Sequence, residues 1–438
     1  MSAEATAPPS PTLPDRLPPG PRLPMVAQTL LYRVRRHTWL PKLRERYGDV
    51  IAVKTFPEGP VVLLADPDHI RALFAASPST YHAGEGKLIM TPMLGEQSVM
   101  LTDEERHQRV RRLLMPAFTG AALRGYRELM AAAAREEVAT WVPGVPFAAH
   151  PRMQAVTLEI ILRVVFGLAD SPRHAELRTL LAEVIDVGAL HLIGWQNPDL
   201  RRFEPWRGHA RIQSRVDELL RAEITERAAV VDLPDRADVL SRLLTANRTA
   251  TGDDVLTDDE IRDQLVTLLL AGHESTATAL AWALHDLARS PAWQADRSDE
   301  VLEAVVKESM RLHPVVYEVA RKTTEDVEIG GYRIPAGWTI MPSINLVHFN
   351  ETLHPSALEF RPDRFLAGSV APPTWIPFGG GIRRCLGAAF SLLEATEILR
   401  AALDHYHVWP DRPEVEQPVP RNVTMPPGRG ARIQLKPR

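Results

Sequence analysis

Apolar and polar positions in the N-terminal part of the chain predict a helix, two strands and a second helix. The stretch "LYRVRRHTWLPKLRERYG" is amphipathic and predicts a helix over residues 31–48. The runs "DVIAVKTF" and "PVVLLAD" are rich in β-branched residues and predict strands on either side of a turn. "DPDHIRALFAAS" then predicts a helix with an aspartate near its N-terminal cap. Residues 81–100 are rich in Gly, Met and Pro and predict irregular structure.

From Asp103 to about Leu287 the apolar positions recur at helical spacing almost throughout. Strand signals return in "VEIGGYRIPAGWTIMPSINLVHF", as a Gly-Gly turn followed by alternating apolar positions. Strands and helices do not alternate regularly and no glycine fingerprint follows a strand, so a dinucleotide-binding fold is not expected. The pattern predicts a mainly α protein with a minor β-sheet region.

The domain organisation follows from the N-terminal composition. Residues 1–24 are rich in proline and small residues and predict a flexible tail, while residues 25–438 hold no repeat or long linker and predict a single domain. The tail has no basic start followed by an apolar run, so neither a signal peptide nor a membrane anchor is expected.

Charge and cysteine content exclude some functions. The formal net charge of −4 over 438 residues gives no basic surplus for binding nucleic acid. The chain has one cysteine and cannot form an internal disulfide, which is natural in a reducing compartment. We therefore expect a cytoplasmic protein that does not bind nucleic acid.

A long apolar segment, "DQLVTLLLAGHESTATALAWALHDLA", predicts a buried central helix from Asp263 to Ala288. Gly272, together with the hydroxyls that follow it, could open a local kink. Glu274 has two interpretations: it pairs with a buried arginine in a helix bent by packing, or it handles protons beside a hydroxyl. A zinc protease is excluded, because the residue four after His273 is Ala277.

Two charged residues on one predicted helix face suggest a structural clamp. Glu308 and Arg311 are three residues apart in "EAVVKESMRLHP", and "FRPDRF" adds Arg364 between two phenylalanines. A buried carboxylate shared by two arginines would be costly to break.

The single cysteine, Cys385, lies in "PFGGGIRRCLGAAF", just before a predicted helix. A lone cysteine is most often an inert core residue. Here the positive end of the helix would lower the thiol pKa, and the glycines allow close approach of the backbone to a neighbouring group. A thiolate here could serve nucleophilic catalysis or metal ligation. No protease signature is present, and one thiolate is too few for zinc or an iron–sulfur cluster but sufficient for haem iron.

With these motifs the sequence resembles the cytochrome P-450 superfamily of haem-thiolate monooxygenases. The family's cysteine loop, Phe-Gly-x-Gly-x-Arg-x-Cys-x-Gly, matches Phe378, Gly379, Gly381, Arg383, Cys385 and Gly387. The family's Glu-x-x-Arg motif matches Glu308 and Arg311, with Arg364 completing the clamp. The distal-helix motif matches Ala271, Gly272 and Glu274, but Ser275 replaces the usual threonine, and Thr276 follows it.

The resemblance implies the cytochrome P-450 fold, with haem b between the long central helix and the cysteine loop. Cys385 would be the axial ligand of the iron. The other residues implied at the cofactor are His107, Arg111, Arg321 and Arg383 for the propionates, and Phe378, Gly379, Gly387 and Ala271 around the ring.

The resemblance also implies insertion of one atom of O2 into a lipophilic small molecule, such as a terpenoid, steroid, fatty acid or polyketide-like compound. Glu274, Ser275 and Thr276 would deliver protons. Electrons would come from NAD(P)H through a separate ferredoxin or flavodoxin and its reductase, and we expect a monomer. Arg106, Arg109, Arg112 and Arg384 would present a positive face to that partner, unless they are merely solvated or face the haem.

Substrate-pocket residues follow from the same resemblance: Val99, Met100, Thr267, Leu270, Ala271 and Val316, under a roof from Val184 to Trp195. Each of them could equally be plain core. Three alternatives stay open for the chain: a peroxide-driven peroxygenase, a non-catalytic haem protein, and a thiol hydrolase without haem.

Overall fold

A computed structural model describes residues 14–167, 171–185, 191, 194, 195, 197–233, 236–368 and 370–438. Helices dominate it, as predicted. The α-helices are α1 (Met25–Tyr47), α2 (Pro67–Ala75), α3 (Thr91–Leu94), α4 (Glu104–Leu114), α5 (Gly120–Val138), α6 (Ala149–Phe166), α7 (Pro172–Ile185), α8 (Trp206–Ala228), α9 (Val239–Thr249), α10 (Asp258–Arg289), α11 (Asp299–Leu312), α12 (Ile344–His348), α13 (Asp363–Leu366) and α14 (Ala388–His405).

The strands form small sheets beside the helices. They are β1 (Val50–Thr55), β2 (Gly59–Leu64), β3 (Tyr81–His82), β4 (Phe147–Ala148), β5 (Arg321–Thr323), β6 (Val327–Ile329), β7 (Tyr332–Ile334), β8 (Thr339–Pro342), β9 (Tyr406–Pro410) and β10 (Arg432–Pro437). Their orders are β1-β2-β8-β5-β3, β4-β10-β9 and β6-β7. Only β2 and β8 pair in parallel among these described strands.

The N-terminal elements confirm the predicted order of helix, two strands and helix. Asp66 caps α2 by accepting hydrogen bonds from the backbone N–H groups of Asp68 and His69. Helix α1 begins earlier than its pattern predicted. Part of the predicted tail lies on the β-sheets, because the Ala52 N–H donates to the Pro19 carbonyl at 2.8 Å and the Arg333 N–H donates to the Arg16 carbonyl at 2.9 Å.

One strand prediction is wrong and another is confirmed. The Gly-Gly turn joins β6 to β7, with positive φ angles of 60° at Gly330 and 76° at Gly331. The apolar run after β8 was expected to continue as a strand, but it forms the short helix α12. All of α12 is buried, and Arg311 donates to the carbonyl of His348 at 2.9 Å, so packing decides its conformation.

Helix α10 is the centre of the molecule. A capping box between Thr257 and Glu260 starts it, and it continues without interruption to Arg289, packed along α6 and against α11 and α14. Leu280 and Leu284 are fully buried there, and replacing such a leucine by alanine typically costs about 2–5 kcal/mol. Because α10 is continuous through Gly272, the predicted kink there is not observed.

Among the described residues, no helix is both long enough and apolar enough to cross a membrane.

Candidate functional site

The cysteine loop is shaped by glycines packed against the end of α2. The Cys385 N–H donates to the carbonyl of Phe378 at 2.9 Å, which closes the loop before α14. Gly381 has a φ of 63°, and a Cβ atom there would lie 1.9 Å from the carbonyl oxygen of Phe74. Only glycine fits this position, so the close neighbour of Gly381 is the chain's own helix.

The Cys385 thiol has a raised pKa, opposite to the expected direction. Its side chain has an exposed surface, yet protein surrounds it on most sides. This burial raises the pKa of Cys385 and outweighs the Gly387 N–H and the charges of Arg384 and Arg111, which lower it. The N-terminal end of α14 thus lowers the thiol pKa as predicted, but its effect is smaller than that of burial. A cation bound at the sulfur would reverse the balance, since a coordinating thiol loses its proton.

Cys385 and Ala271, which lies in the middle of α10, both have exposed side chains. Ala271 is exposed although Leu270 before it is only 9% exposed, so α10 lacks a neighbour at this point. The Thr276 hydroxyl donates to the Ser391 hydroxyl at 3.1 Å and joins α10 to α14. Ala271 lies five residues before Thr276 and Cys385 lies six residues before Ser391, so both are close along the chain to this contact. We take the space between these two exposed residues as the candidate site.

A group of basic side chains, which we call the cation cluster, lies near Cys385. Its members are Lys87, His107, Arg111, Arg321 and Arg383. Burial is the largest cause of the lowered pKa in each of them. Neighbouring positive charges add to it, and the pKa falls to about 8 for Lys87, to about 3 for His107 and to about 10 for Arg321.

Within the described residues, one carboxylate, that of Asp103, faces this cation cluster. It pairs with Arg383 and accepts hydrogen bonds at 2.8–3.1 Å from the backbone N–H groups of Ala83, Gly84 and Glu85. The hydrogen-bonding capacity of the Asp103 carboxylate is therefore largely used by these partners. The buried Nδ1 of His107 has no hydrogen-bond partner in the described part of the chain. Arg383 also donates to the carbonyls of Val99 and Thr102. A single carboxylate among several half-buried or buried basic side chains nevertheless indicates an anionic ligand.

These residues fit haem. The cation cluster matches the two propionate carboxylates, and Cys385 offers a sulfur beside the same space. Phe378 packs edge-on against Trp375, with 5.8 Å between the ring centroids, and so supports the loop.

Lys87 was missed by the sequence reasoning. It lies in the segment that was predicted to be irregular, where the sequence shows no periodicity. That prediction was wrong here, because Lys87 lies in a 3-10 helix, Glu85–Met90, which leads into α3. One signal could have found it: Lys87 is the only Lys or Arg between Tyr81 and Thr102.

The distal carboxylate, Glu274, faces α6. Its Oε2 accepts a hydrogen bond from Gln154 Nε2 at 2.5 Å, and its Oε1 lies 3.6 Å from His150 Nε2. Burial raises the pKa of Glu274, but these two partners and the charge of Arg421 outweigh it, so the net pKa is lowered. Glu274 is thus held ionised, chiefly by two α6 side chains that the sequence reasoning did not find.

The two hydroxyls after Glu274 point in different directions. Ser275 is partly exposed, and its Oγ donates to the Ala271 carbonyl at 2.8 Å. Thr276 instead faces α14, where burial raises the pKa of the neighbouring Glu394. Ser275 is therefore the hydroxyl beside the exposed part of α10. Gly272 is explained by packing, because a Cβ there would lie 3.1 Å from Cδ1 of Ile161 on α6.

The clamp residues form a buried and well-bonded network. Arg311 donates to both carboxylate oxygens of Glu308, at 2.8 and 2.9 Å, and both residues are fully buried. Arg364 Nε donates to Glu308 at 3.3 Å. This network ties α11 to α13 and to the segment that leads to the cysteine loop.

The pocket candidates divide by burial. Thr267 and Leu270 are buried, and the Thr267 hydroxyl is bonded to Ser98 at 2.7 Å. Val99, Met100 and Val316 are half-buried. The predicted roof starts at the buried Val184, but residues 186–190, 192 and 193 lie outside the described residues.

Two of the four arginines assigned to a positive face form ion pairs within the chain. Arg109 pairs with Glu260 at 2.5 Å and Arg112 pairs with Asp254 at 2.6 Å. Arg106 bonds to Gln97, and Arg384 is exposed. The positive charge available for a partner is therefore smaller than the sequence suggested.

A second group of potential metal ligands is bonded internally. Asp286 Oδ1 lies 3.1 Å from both His285 Nδ1 and His313 Nε2, and Asp286 Oδ2 accepts from Ser309 at 2.8 Å. His285 Nε2 accepts the Glu416 N–H at 3.2 Å. These nitrogen and oxygen atoms, which could bind a metal, already have hydrogen-bond partners in the protein. We therefore assign this group a structural role.

Sequence comparison identifies close relatives over the whole chain. The profile of the cytochrome P-450 family matches residues 17–432. The Mycobacterium tuberculosis protein named cytochrome P-450 135A1 is 47% identical over 435 residues, which cover 97% of this chain and 96% of the relative. The Mycobacterium bovis protein named cytochrome P-450 135B1 is 40% identical over 434 residues, which cover 96% of this chain and 91% of the relative.

Solved structures show the same fold. The retinoic acid-bound cyanobacterial CYP120A1 superposes with a TM-score of 0.82 and 22% identity, covering 98% of this chain and 100% of that one. The haem domain of cytochrome P450DA gives the same TM-score and identity, covering 98% of this chain and 99% of that one. Together with the sequence matches, this places the chain in the cytochrome P-450 family of haem monooxygenases.

Proposed function

We propose that this enzyme inserts one atom of O2 into a lipophilic small molecule, with electrons from NAD(P)H through a separate ferredoxin or flavodoxin and its reductase. The observation that carries this proposal is the group of poorly compensated cations beside a cysteine that has an exposed surface. An inert core cysteine would need neither the exposure nor the cations.

In this proposal each part of the chain has a separate task in binding haem b. Cys385 ligates the iron, while Lys87, His107, Arg111, Arg321 and Arg383 bind the propionates. The glycine loop and Phe378 hold the sulfur in place. When bound, haem supplies the activation of O2 at a thiolate-ligated iron, the chemistry that favours O–O cleavage.

Protons would enter from the α6 side. Glu274 is ionised, and its Oε1 lies 3.6 Å from His150 Nε2, so it can accept a proton from the α6 side. Once its hydrogen bond to Gln154 breaks, Glu274 can pass that proton toward Ser275, whose hydroxyl lies near the exposed Ala271. Thr276 would support Ser275 from the α14 side rather than act directly.

A lipophilic substrate is supported by the apolar character of the candidate lining. Val99, Met100, Leu270, Ala271 and Val316 carry no charge, and an apolar lining selects apolar ligands. The retinoic acid bound to CYP120A1, a structure of the same fold, is a lipophilic molecule. A terpenoid, steroid, fatty acid or polyketide-like compound would fit this chemistry.

The electron donor would approach the exposed Arg384, beside the thiolate loop. We expect a cytoplasmic monomer, since the lone cysteine suits a reducing compartment and lies at the haem site rather than in a disulfide.

A test of the proposal uses Glu274→Gln, which keeps the side-chain shape but cannot carry the proton. Turnover with NAD(P)H, ferredoxin and reductase should fall by about 100-fold or more, because general acid catalysis contributes at least that much. Peroxide-supported turnover is the internal control and should be unchanged, because peroxide brings its own protons. For the wild-type protein, turnover with peroxide alone and none with the ferredoxin system would indicate a peroxygenase, and no turnover with either would indicate a non-catalytic haem protein.

A further inference from the structure

Helix α1 carries an exposed apolar patch on its outer face. Val26, Leu30 and Val34 are four residues apart and therefore lie on one face of the helix, and Phe56 of the β1–β2 turn lies beside them. We call these residues the α1 patch. Their exposed fractions are 77%, 63%, 59% and 60%, in that order. Large apolar side chains this exposed on one helix face indicate a contact surface.

The patch is built into the fold. The Phe56 N–H donates to the Thr29 hydroxyl at 3.0 Å, and Arg33 donates to the Phe56 carbonyl at 3.0 Å. On the opposite side of α1, Gln28 is buried and accepts the Lys54 N–H at 2.9 Å. These contacts fix which face of α1 points outward.

Arginines adjoin the C-terminal end of the α1 patch. Helix α1 has six Lys and Arg residues and one acid, Glu45, in a chain with net charge −4. It kinks at Arg35, so three of these cations adjoin the patch and the other three lie beyond the kink. Arg36 pairs with Glu318 and Arg44 with Asp49. No ion pair is found in the described ranges for the remaining cations, which are Arg33, Arg35, Lys42 and Arg46.

An apolar stripe flanked by Lys and Arg is the pattern of helices that lie at an anionic lipid surface. A second copy of the chain would bring like charges together across this face. The residues ahead of the described part hold only Met1 and Leu13 as large apolar side chains, so they are poorly suited to cover it. We propose that the α1 patch docks on an anionic membrane surface, with the apolar side chains at the lipid boundary and the cations against the head groups.

The test measures co-sedimentation of the full-length protein with phosphatidylglycerol-containing vesicles and with pure phosphatidylcholine vesicles. Wild type should bind the anionic vesicles, and raised salt should weaken binding because it screens the head-group charges. Leu30→Asp/Val34→Asp should weaken binding at least tenfold. Val231→Asp is the matched control, because Val231 is 91% exposed and outside the patch, and it should bind like wild type.

A charge variant, Arg33→Gln/Arg35→Gln, should lose most of the preference for anionic over neutral vesicles. Circular dichroism and the haem spectrum check that each variant is folded, and vesicle binding needs no substrate or reductant. Failure of wild type to bind anionic vesicles overturns the proposal and leaves the patch to a protein partner. Equal binding by wild type and Leu30→Asp/Val34→Asp overturns it too, as does a wild-type dimer in solution that this variant abolishes.

Discussion

Two buried charged clusters in this molecule differ in how completely their charges are compensated. In the clamp, Glu308 receives both nitrogens of an Arg311 fork, and Arg311 also donates to the carbonyls of His348 and Ala357 at 2.9 and 2.8 Å. In the cation cluster, one occupied carboxylate, Asp103, faces several desolvated cations.

The difference separates folding from ligand binding. A buried ion network that is fully bonded within the chain holds elements together, and removing one partner strands the others. A buried cluster of one sign costs free energy unless something outside the chain compensates it. The second case indicates a missing anion, and because the chain belongs to the cytochrome P-450 family we propose haem as the group that carries it.

The largest effect is expected in the clamp. Arg311→Ala leaves Glu308 buried without its main partner, and we expect the free energy of unfolding to fall by about 3–5 kcal/mol. Urea unfolding of the haem-free protein measures this loss. Arg361→Ala, which removes an exposed arginine paired with Asp363, is the control and should change stability little. A stable Arg311→Ala protein would contradict the assigned role of the clamp.

The next effect is a pH dependence that comes from His107. Its pKa is about 3 in the fold against an ordinary 6.5, so between these values the unfolded chain binds the extra proton. Stability is therefore present above pH 6.5 and lost as pH falls toward 3, by about 2 kcal/mol at pH 5 for the haem-free protein. The cause is burial, with Arg383, Arg111 and Lys87 adding to it and Asp103 opposing it.

His107→Asn should flatten this dependence between pH 7 and 5, and the exposed His407→Asn should not. Haem should also flatten it in wild type, because propionate carboxylates favour the imidazolium. The same slope with and without haem would count against propionates at this cluster.

A smaller effect is expected at Lys87, the cation that was not predicted. Lys87→Gln relieves repulsion from Arg321 and Arg383, so the haem-free protein should keep its stability or gain slightly. The haem-bound protein should lose one charge-assisted hydrogen bond and release haem about tenfold faster. Haem transfer to apomyoglobin measures this rate. An unchanged rate together with unchanged stability would remove Lys87 from the propionate site.

The smallest effect is expected at an exposed ion pair. Arg112→Ala breaks the pair with Asp254, and the free energy of unfolding should change by less than about 1 kcal/mol. Because this charge is already paired, the rate of reduction by ferredoxin should also change little, whereas Arg384→Ala should slow it. If Arg112→Ala slowed reduction more than Arg384→Ala, the result would instead support the larger positive face inferred from the sequence.

What could be predicted from sequence depended on how local the cause was. The cysteine loop and the pair Glu308–Arg311 are set by short spacings, and the Gly-Gly hairpin by its turn residues. Helix α12 was wrongly predicted to be a strand, because its conformation depends on burial and on a hydrogen bond from Arg311. The direction of the Cys385 pKa also failed, since burial by distant segments outweighs the local helix end.

Contacts between distant segments explain the rest. Glu274 was recognised, but its partners Gln154 and His150 lie on another helix more than 100 positions earlier, and no spacing links them. Asp103 joins Arg383 to the loop at Ala83 in the same way. Pairings between such distant positions can be identified only from the tertiary structure.

The most direct test of the central claim is the carbon monoxide difference spectrum of the reduced, haem-loaded protein, compared between wild type and Cys385→His. Wild type should show the long-wavelength Soret band of a thiolate-ligated haem, and Cys385→His should show the band of a histidine-ligated one. A wild-type spectrum like that of a globin, or wild-type protein that stays colourless after reconstitution with haemin, would contradict the account.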